Sequence, residues 1–223
     1  MEVYIKRAID NIVKFGDTDI FPFPFERNMF EDMKPRIVDR LLDLHDNFDK
    51  FYSSVPPLSI DKVVPIGYYS FRYGKQIEPF WNAYYLACVL ALADEIERKR
   101  INRDAAKVFS YRYKFDEANK SLFADLTWKD YKKQCVDNSR RFSYVLETDI
   151  NNFYPRVNHH KLENELNRID SSRVYSRSIL KLLSSFTGTI SHGLPVGGPA
   201  PRILSELALC QSDDHLSSGL SRV

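Results

Sequence analysis

The chain has 223 residues, 43% hydrophobic and 28% charged, which are the proportions of an ordinary globular protein. Its formal net charge is only +2, so any polyanion must be held by local basic patches rather than by a global field. No apolar run approaches the roughly 20 residues of a membrane span. The amino terminus lacks a signal-peptide core, and the three cysteines lack metal-site spacing. We therefore expect a cytoplasmic protein with no membrane partner.

The first region, residues 1–57, is predicted to be mostly helical. Apolar residues at near-helical spacing predict a helix over 2–15, and Gly16 stands where a carboxyl-terminal cap belongs. The prolines of DTDIFPFPFE (17–26) exclude a regular helix there. A second helix is expected over 34–51.

The middle region, residues 58–143, mixes strand and helix patterns. The β-branched and aromatic residues of 62–74, broken by glycines, predict a hairpin, and 79–101 is the clearest helix of the chain. Residues 107–114 alternate like a strand. A basic amphipathic helix is predicted over 127–142. Four side chains of this helix are expected to face inward: Trp128, Tyr131, Cys135 and Val136.

The last region, residues 144–223, begins with a predicted strand over 144–149. Short helices are expected near 158–168 and 173–187. A Gly/Pro loop and a final helix from about residue 201 follow. The order of helices and strands along the chain indicates an α+β fold rather than a doubly wound one.

The end of the predicted strand carries the first candidate site. Strand alternation puts Glu147 and Asp149 on one face, and Asp149 falls where the strand runs into a turn. A carboxylate held by a rigid strand end suits a divalent cation, and the aromatic pair Phe153–Tyr154 follows within one turn. Two alternatives stay open: Asp149 only caps the turn, and Glu147 only faces solvent.

The second candidate is the loop GLPVGGPAPR (193–202), which opens onto the last helix. Glycines let a backbone approach a ligand closely, and a helix amino terminus offers N–H groups to anions. The simpler alternative is that the segment is only a turn.

Together the two segments resemble the palm of a reverse transcriptase. DINNFY (149–154) is similar to the family's first catalytic motif, and GLPVG (193–197) is similar to its later template- and nucleotide-contacting loop. The closer resemblance, which runs from about residue 8 to about residue 209, is to bacterial abortive-infection and other phage-defence reverse transcriptases. It implies a right-hand polymerase with a fingers-like subdomain over 58–143 and a partial palm over 144–223.

The resemblance also implies roles for single residues. Asp149 and the carbonyl of Ile150 would be ligands in a two-Mg²⁺ site, and Tyr154, beside Phe153, would lie under the sugar of the incoming nucleotide. The other implied contacts of the nucleotide and the templating pair are Arg72, Lys75, Gly193, Pro195 and Gly197. The implied partners are an RNA template, a DNA or protein primer, and deoxynucleoside triphosphates.

The family's second metal-binding motif, an aromatic-x-Asp-Asp hairpin, does not occur before Val223. Asp213 and Asp214 continue directly from a predicted helix, and we interpret them as solvated helix-end residues. The metal site and the thumb are therefore expected to be incomplete. The chain is expected to be a truncated, frameshifted or split product, inactive alone, whose missing parts a partner chain could supply.

Two other functions stay open. A non-catalytic RNA- or DNA-binding module would keep the scaffold without the chemistry, and a template-independent polymerase would keep the chemistry without a template. Basic stretches at 97–103 and 129–141, and the interleaved Tyr and basic residues of 111–114, fit a nucleic-acid track. Solvated helix faces would have the same composition.

Overall fold

A computed structural model describes residues 1–16, 18, 26–65, 67–105, 107–124 and 128–220. The prediction for 17–26 falls almost wholly outside these residues. Ten α-helices, two strands and one 3₁₀ turn (Arg103–Ala105) are formed in the described part. In chain order they are α1 Glu2–Phe15, α2 Glu26–Asp32, α3 Lys34–Asp46, α4 Phe48–Ser54, β1 Ser59–Pro65, β2 Phe71–Ile77, α5 Pro79–Lys99, α6 Trp128–Ser139, α7 Phe153–Arg156, α8 His159–Ile169, α9 Val174–Phe186 and α10 Pro199–Leu220. The α+β class is confirmed.

Helix α5 is the centre of the core. Its first turn is capped by the carboxylate of Glu78, which accepts hydrogen bonds from the backbone N–H groups of Phe80 and Trp81. From Trp81 to Ala93 nearly every side chain is buried, because α1, α9 and α10 pack around the helix. The partners come from the first and last predicted regions and α5 from the middle one, so one hydrophobic core runs through the described chain.

Local signals predicted most helices well. The predicted first helix matches α1, and Gly16 follows it with φ 83° while its N–H donates to the carbonyl of Ile12. The helix predicted over 34–51 is formed as α3 and α4, with a break at Asn47. Helices α8, α9 and α10 lie where the sequence predicted helices.

The predicted hairpin is also formed, as the antiparallel pair β1–β2. The register aligns Val63 with Tyr73 and Asp61 with Lys75. Most of the hairpin is exposed, including Phe71 and Tyr73, and its base meets the core where Ile77 is buried. The hairpin therefore projects from the body while its base stays fixed.

The strand predicted over 144–149 is wrong. Residues 143–150 form no ladder in the described structure, and every one of them is exposed. A strand needs a partner for its backbone N–H and C=O groups, and no described segment supplies one. The backbone groups of this segment are therefore left to solvent.

The strand predicted over 107–114 is formed only in part. The N–H of Lys114 donates to Leu122 and the N–H of Ala124 donates to Arg112, with a single bridge between Tyr113 and Phe123. One bridge is too short to count as a regular β-strand.

The inward face predicted for the basic amphipathic helix is wrong as well. Helix α6 forms, but none of its residues is buried. Periodicity fixed the helix, whereas an inward face also needs a neighbouring element to cover it. The four side chains expected to face inward are all exposed: Trp128, Tyr131, Cys135 and Val136.

Within the part of the chain that the structure describes, no helix combines the length and apolar character that crossing a membrane requires.

Candidate functional site

The two sequence motifs meet through their backbones. The N–H of Leu194 donates to the carbonyl of Tyr154 at 2.9 Å, and the N–H of Gly193 donates to the carbonyl of Val157 at 2.8 Å. The turn carrying the aromatic pair is the short helix α7, which follows Asn152 in the left-handed conformation with φ 53°. We call residues 153–157 and 191–198 the turn–loop junction.

Gly193 is a structural requirement of this junction. It is buried, its φ is 108°, and a Cβ there would lie 3.4 Å from Cγ2 of Thr187 and 3.6 Å from the carbonyl oxygen of Pro155. The close approach that the glycine permits is to the chain's own turn. A ligand contact of Gly193 stays a prediction.

His159 locks the junction from the other side. Its backbone N–H donates to Ser191 at 2.9 Å, and its ring Nε2 lies 2.7 Å from the carbonyl oxygen of Gly193. The imidazole is buried, so this bond is protected from water. His159 is the first residue of α8, which lies where the sequence predicted a helix, but no local signal indicated the contact with Gly193.

The hairpin reaches the same loop. The N–H of Lys75 donates to the carbonyl of Val196 at 3.2 Å, and Lys75 lines a small cavity with Pro195, Val196 and Gly198. The ammonium of Lys75 is 2.7 Å from the carboxylate of Asp61, and its side chain is only 17% exposed. Lys75 is thus an ion-paired residue of β2, and its contact with a nucleotide stays a prediction.

Arg72 is placed differently from Lys75. It lies three residues earlier on β2, opposite Val64, and is exposed. A cation on a projecting hairpin is accessible to an anionic ligand, which is compatible with the predicted triphosphate contact.

Tyr154 connects the turn to α10. It is half-buried, with its ring centroid 5.5 Å from that of Phe153 in an edge-on arrangement. Burial raises the pKa of the Tyr154 phenol, whereas a hydrogen bond with Ser205 and the charge of Arg202 lower it. The ring is therefore fixed between the turn and α10.

The start of α10 is a poorer anion site than the sequence suggested. Pro199 and Pro201 have no N–H, so two of the usual free donors of the first turn are missing. The positive group here is Arg202, whose guanidinium lies 5.4 Å from the ring centroid of Tyr111. Arg202 lines a cavity of about 290 Å³ together with Gly197 and the aromatic rings of Phe15 and Phe123.

A buried charge network supports α10 behind the cavity. Arg100 pairs with Glu206 at 2.6 Å and with Glu97 at 2.9 Å, and Arg112 pairs with Glu97 at 2.8 Å. Ser110 also donates to Glu206 at 2.7 Å. Burial raises the pKa of the Glu206 carboxyl, although Arg100 lowers it. The sequence did not predict this network, because Arg100 and Arg112 lie in basic stretches that fitted a nucleic-acid track.

Asp149 is exposed, as are Ile150 and Glu147. It precedes Phe153 by four residues, so its Cα lies within about 15 Å of the Phe153 Cα. The linings of the two cavities beside the loop do not include it. The structure therefore joins the aromatic pair to the Gly/Pro loop but does not place Asp149 in a shared pocket.

The donor set for Mg²⁺ is partial. The Asp149 carboxylate and the Ile150 carbonyl are two oxygen donors of the kind Mg²⁺ prefers, with water and phosphate as usual further ligands. A second ion needs another carboxylate, and no group of three or more metal-binding side chains occurs among the described residues. The described residues therefore do not complete a two-ion site.

The acidic pair near the end of the chain does not lie at a helix end. Asp213 and Asp214 lie inside α10, which continues to Leu220. Asp213 is half-buried, and burial raises the pKa of its carboxyl. The prediction of solvated helix-end residues is wrong for Asp213, whereas Asp214 is exposed.

No protein-family model matches this chain, and no significantly similar protein was found among curated proteins or solved structures. The resemblance to reverse transcriptases is carried only by the sequence motifs quoted above.

Proposed function

We propose that this chain is a reverse-transcriptase-like nucleotidyltransferase module of the phage-defence type, which holds a nucleotide and a template strand. The observation that supports it best is the pair of backbone bonds from Gly193 and Leu194 to the turn after Asp149. Two segments nearly 40 residues apart, each resembling a polymerase motif, are joined by direct backbone hydrogen bonds. An accidental match of two short motifs would not require them to touch.

Each residue has its own role in the proposed nucleotide site. The half-buried loop from Val196 to Pro199 would form the floor of that site, and Lys75 lies against this loop. Arg72 offers its guanidinium to phosphate from the projecting hairpin. Tyr154, whose carbonyl accepts a hydrogen bond from Leu194, supplies a flat ring that would exclude a bulky sugar substituent by contact.

The proposed phosphoryl transfer requires Mg²⁺. Mg²⁺ would supply charge stabilisation for phosphoryl transfer, and Asp149 with the Ile150 carbonyl would be its ligands in this chain. Because the described donors are too few for two ions, we propose that further carboxylates come from a partner chain or segment. Templated synthesis by the chain alone is therefore expected to be weak or undetectable.

Primer extension with Mg²⁺, deoxynucleoside triphosphates and an RNA template tests the proposal. Asp149→Ala should abolish any incorporation seen with the chain or with its complementing partner. Glu147→Ala is the matched control, because it removes an equally exposed carboxylate two residues away. Equal loss in both variants, or incorporation that persists in Asp149→Ala, would overturn the assignment of Asp149.

A non-catalytic binding module is the second candidate, and the incomplete donor set for two Mg²⁺ ions among the described residues favours it. It predicts tight RNA or DNA binding, no incorporation under any condition, and no change in affinity in Asp149→Ala. A template-independent polymerase is distinguished by its product, whose sequence would not depend on the added template.

A further inference from the structure

Residues 128–150, which we call the exposed arm, contain no buried residue. The arm consists of α6 and the segment after it, which has no regular secondary structure. Helix α6 has no extensive packing partner among the described elements. Eight large apolar or aromatic side chains of the arm are exposed: Trp128, Tyr131, Val136, Phe142, Tyr144, Val145, Leu146 and Ile150. A surface of this kind in a folded protein indicates an interaction site.

Charge is concentrated in the first part of the arm. Residues 128–142 contain five basic side chains and two carboxylates, a net charge of +3, whereas the whole chain carries +2. The rest of the chain is therefore close to neutral and slightly acidic. Residues 128–142 therefore attract polyanions locally, although the protein as a whole does not.

The aromatic groups of α6 are arranged for stacking. The rings of Trp128 and Tyr131 lie 4.9 Å apart at 25°, and the ammonium of Lys132 lies 5.3 Å from the Trp128 ring centroid. Trp128 is 67% exposed, so much of its ring system is open to a further flat partner. Exposed aromatic planes beside lysines match a chain of bases and phosphates.

We propose that the exposed arm binds single-stranded nucleic acid, with Trp128 and Tyr131 stacking on bases and the basic residues of 128–142 contacting phosphates. A duplex hides its base faces, and carboxylates alone would use the basic residues but not the exposed rings, so a single strand fits both features best. This site would be where the proposed nucleotidyltransferase module holds its template strand. Only the identification of the bound strand as a template rests on the proposed function. Strand binding by the exposed arm does not depend on Asp149.

Intrinsic fluorescence is the direct test, because the chain has two tryptophans and Trp81 is only 2% exposed. A single strand of about 20 nucleotides, longer than a typical binding site of this kind, should quench the emission of Trp128. The quenching should disappear in Trp128→Phe. Homopolymers of ribouridine and deoxythymidine distinguish RNA from DNA as the preferred strand.

Affinity measurements separate stacking from charge. Trp128→Ala with Tyr131→Ala should weaken binding about tenfold or more. Lys129→Gln with Lys133→Gln should lower the slope of log affinity against log salt by about 1.4. Arg36→Gln with Lys50→Gln removes two exposed cations from α3 and α4 and should change neither quantity. Because none of the arm residues is buried, all variants should fold.

Three results would overturn the proposal: wild-type affinity in the double aromatic variant, equal affinity for a duplex of the same length, or stronger quenching by polyglutamate. Failure of the proposed function appears differently. In that case incorporation with the complementing partner persists in Asp149→Ala, and Trp128 quenching is retained in the same variant. Conversely, primer extension by a protein whose Trp128 is not quenched by single strands would refute strand binding by the exposed arm. The polymerase proposal would then stand.

Discussion

The turn–loop junction and the exposed arm are neighbours in sequence, and both are rich in aromatic and apolar residues, yet they have opposite environments. In the junction, Gly193 and Leu194 donate backbone hydrogen bonds to the turn, and Leu194 is 4% exposed. In the arm, Leu146 is 88% exposed and its segment has no ladder partner in the described structure. Composition therefore does not decide burial here. Packing against another element of the fold does.

This difference assigns different tasks to the two regions. The junction is held by bonds that include the buried ring of His159, so it can keep a fixed shape for a ligand. The arm exposes apolar and basic groups that nothing within the described chain covers, so it is suited to binding something else. The substitutions below test the contrast, beginning with the largest expected effect.

Breaking the charge network behind the junction should cost most. Arg100→Ala leaves the buried Glu206 carboxylate without its cation, and we expect about 3–5 kcal/mol lower free energy of unfolding. Arg140→Ala in the arm removes a guanidinium whose side chain is 76% exposed and should change stability by less than about 0.5 kcal/mol. Urea denaturation of both variants measures this. Similar losses would mean that the arm is packed.

A matched pair of leucines makes the comparison directly. Leu194→Ala removes buried atoms from the junction and should destabilise by about 2–5 kcal/mol. Leu146→Ala removes the same atoms from solvent and should change the free energy of unfolding by less than about 0.5 kcal/mol. If Leu146→Ala proves as damaging as Leu194→Ala in the same denaturation experiment, residues 144–149 are buried against another element.

A glycine pair tests the backbone of the junction. Gly193→Ala forces a side chain into φ 108° and against Thr187 and Pro155, so we expect a loss of about 1–3 kcal/mol. Gly219→Ala lies in the last turn of α10 with open space around it and should be neutral or stabilise by up to about 1 kcal/mol. Thermal unfolding distinguishes the two. A neutral Gly193→Ala would show that the turn and loop are not in contact.

The smallest expected effect is a pH dependence from the packed side of the molecule. Burial lowers the pKa of the His45 imidazole below 6.5, against a smaller opposing effect of Asp46, and its Nδ1 lies 3.0 Å from the Tyr84 hydroxyl. The unfolded chain therefore binds the proton more readily. The contribution of His45 to the free energy of unfolding is fully present above pH 6.5. It is lost as the pH drops below 6.5, by at most about 1.4 kcal/mol per pH unit.

His45→Gln should remove this contribution to the slope, whereas His215→Gln, at an exposed position of α10, should leave it in place. Urea denaturation at a series of pH values across this range measures both variants. A slope that is unchanged in His45→Gln would contradict the assignment.

The sequence predicted the elements whose signals are local. The apolar spacing of α1 with Gly16 after it, the long buried run of α5 and the hairpin β1–β2 were all readable, because each depends on neighbours within a few residues. Motif resemblance also brought the aromatic pair and the Gly/Pro loop into one hypothesis, and their contact was then found.

The errors share a cause. The strand predicted over 144–149 and the inward face predicted for α6 both require a partner that alternation and amphipathic spacing cannot supply. The pairing of Arg100 with Glu206 joins positions more than 100 residues apart and has no local pattern. The glycine at 193 was recognised as special, but its purpose, room for Pro155, depends on the folded geometry.

Residue-resolved hydrogen exchange tests the contrast between the two regions most directly. The backbone N–H groups of Gly193 and Leu194, which donate to Val157 and Tyr154, should be strongly protected. The amides of 144–149 should exchange at the rate of an unstructured peptide. Rapid exchange at Gly193 and Leu194 together with protection across 144–149 would contradict the account and return the strand that the sequence predicted.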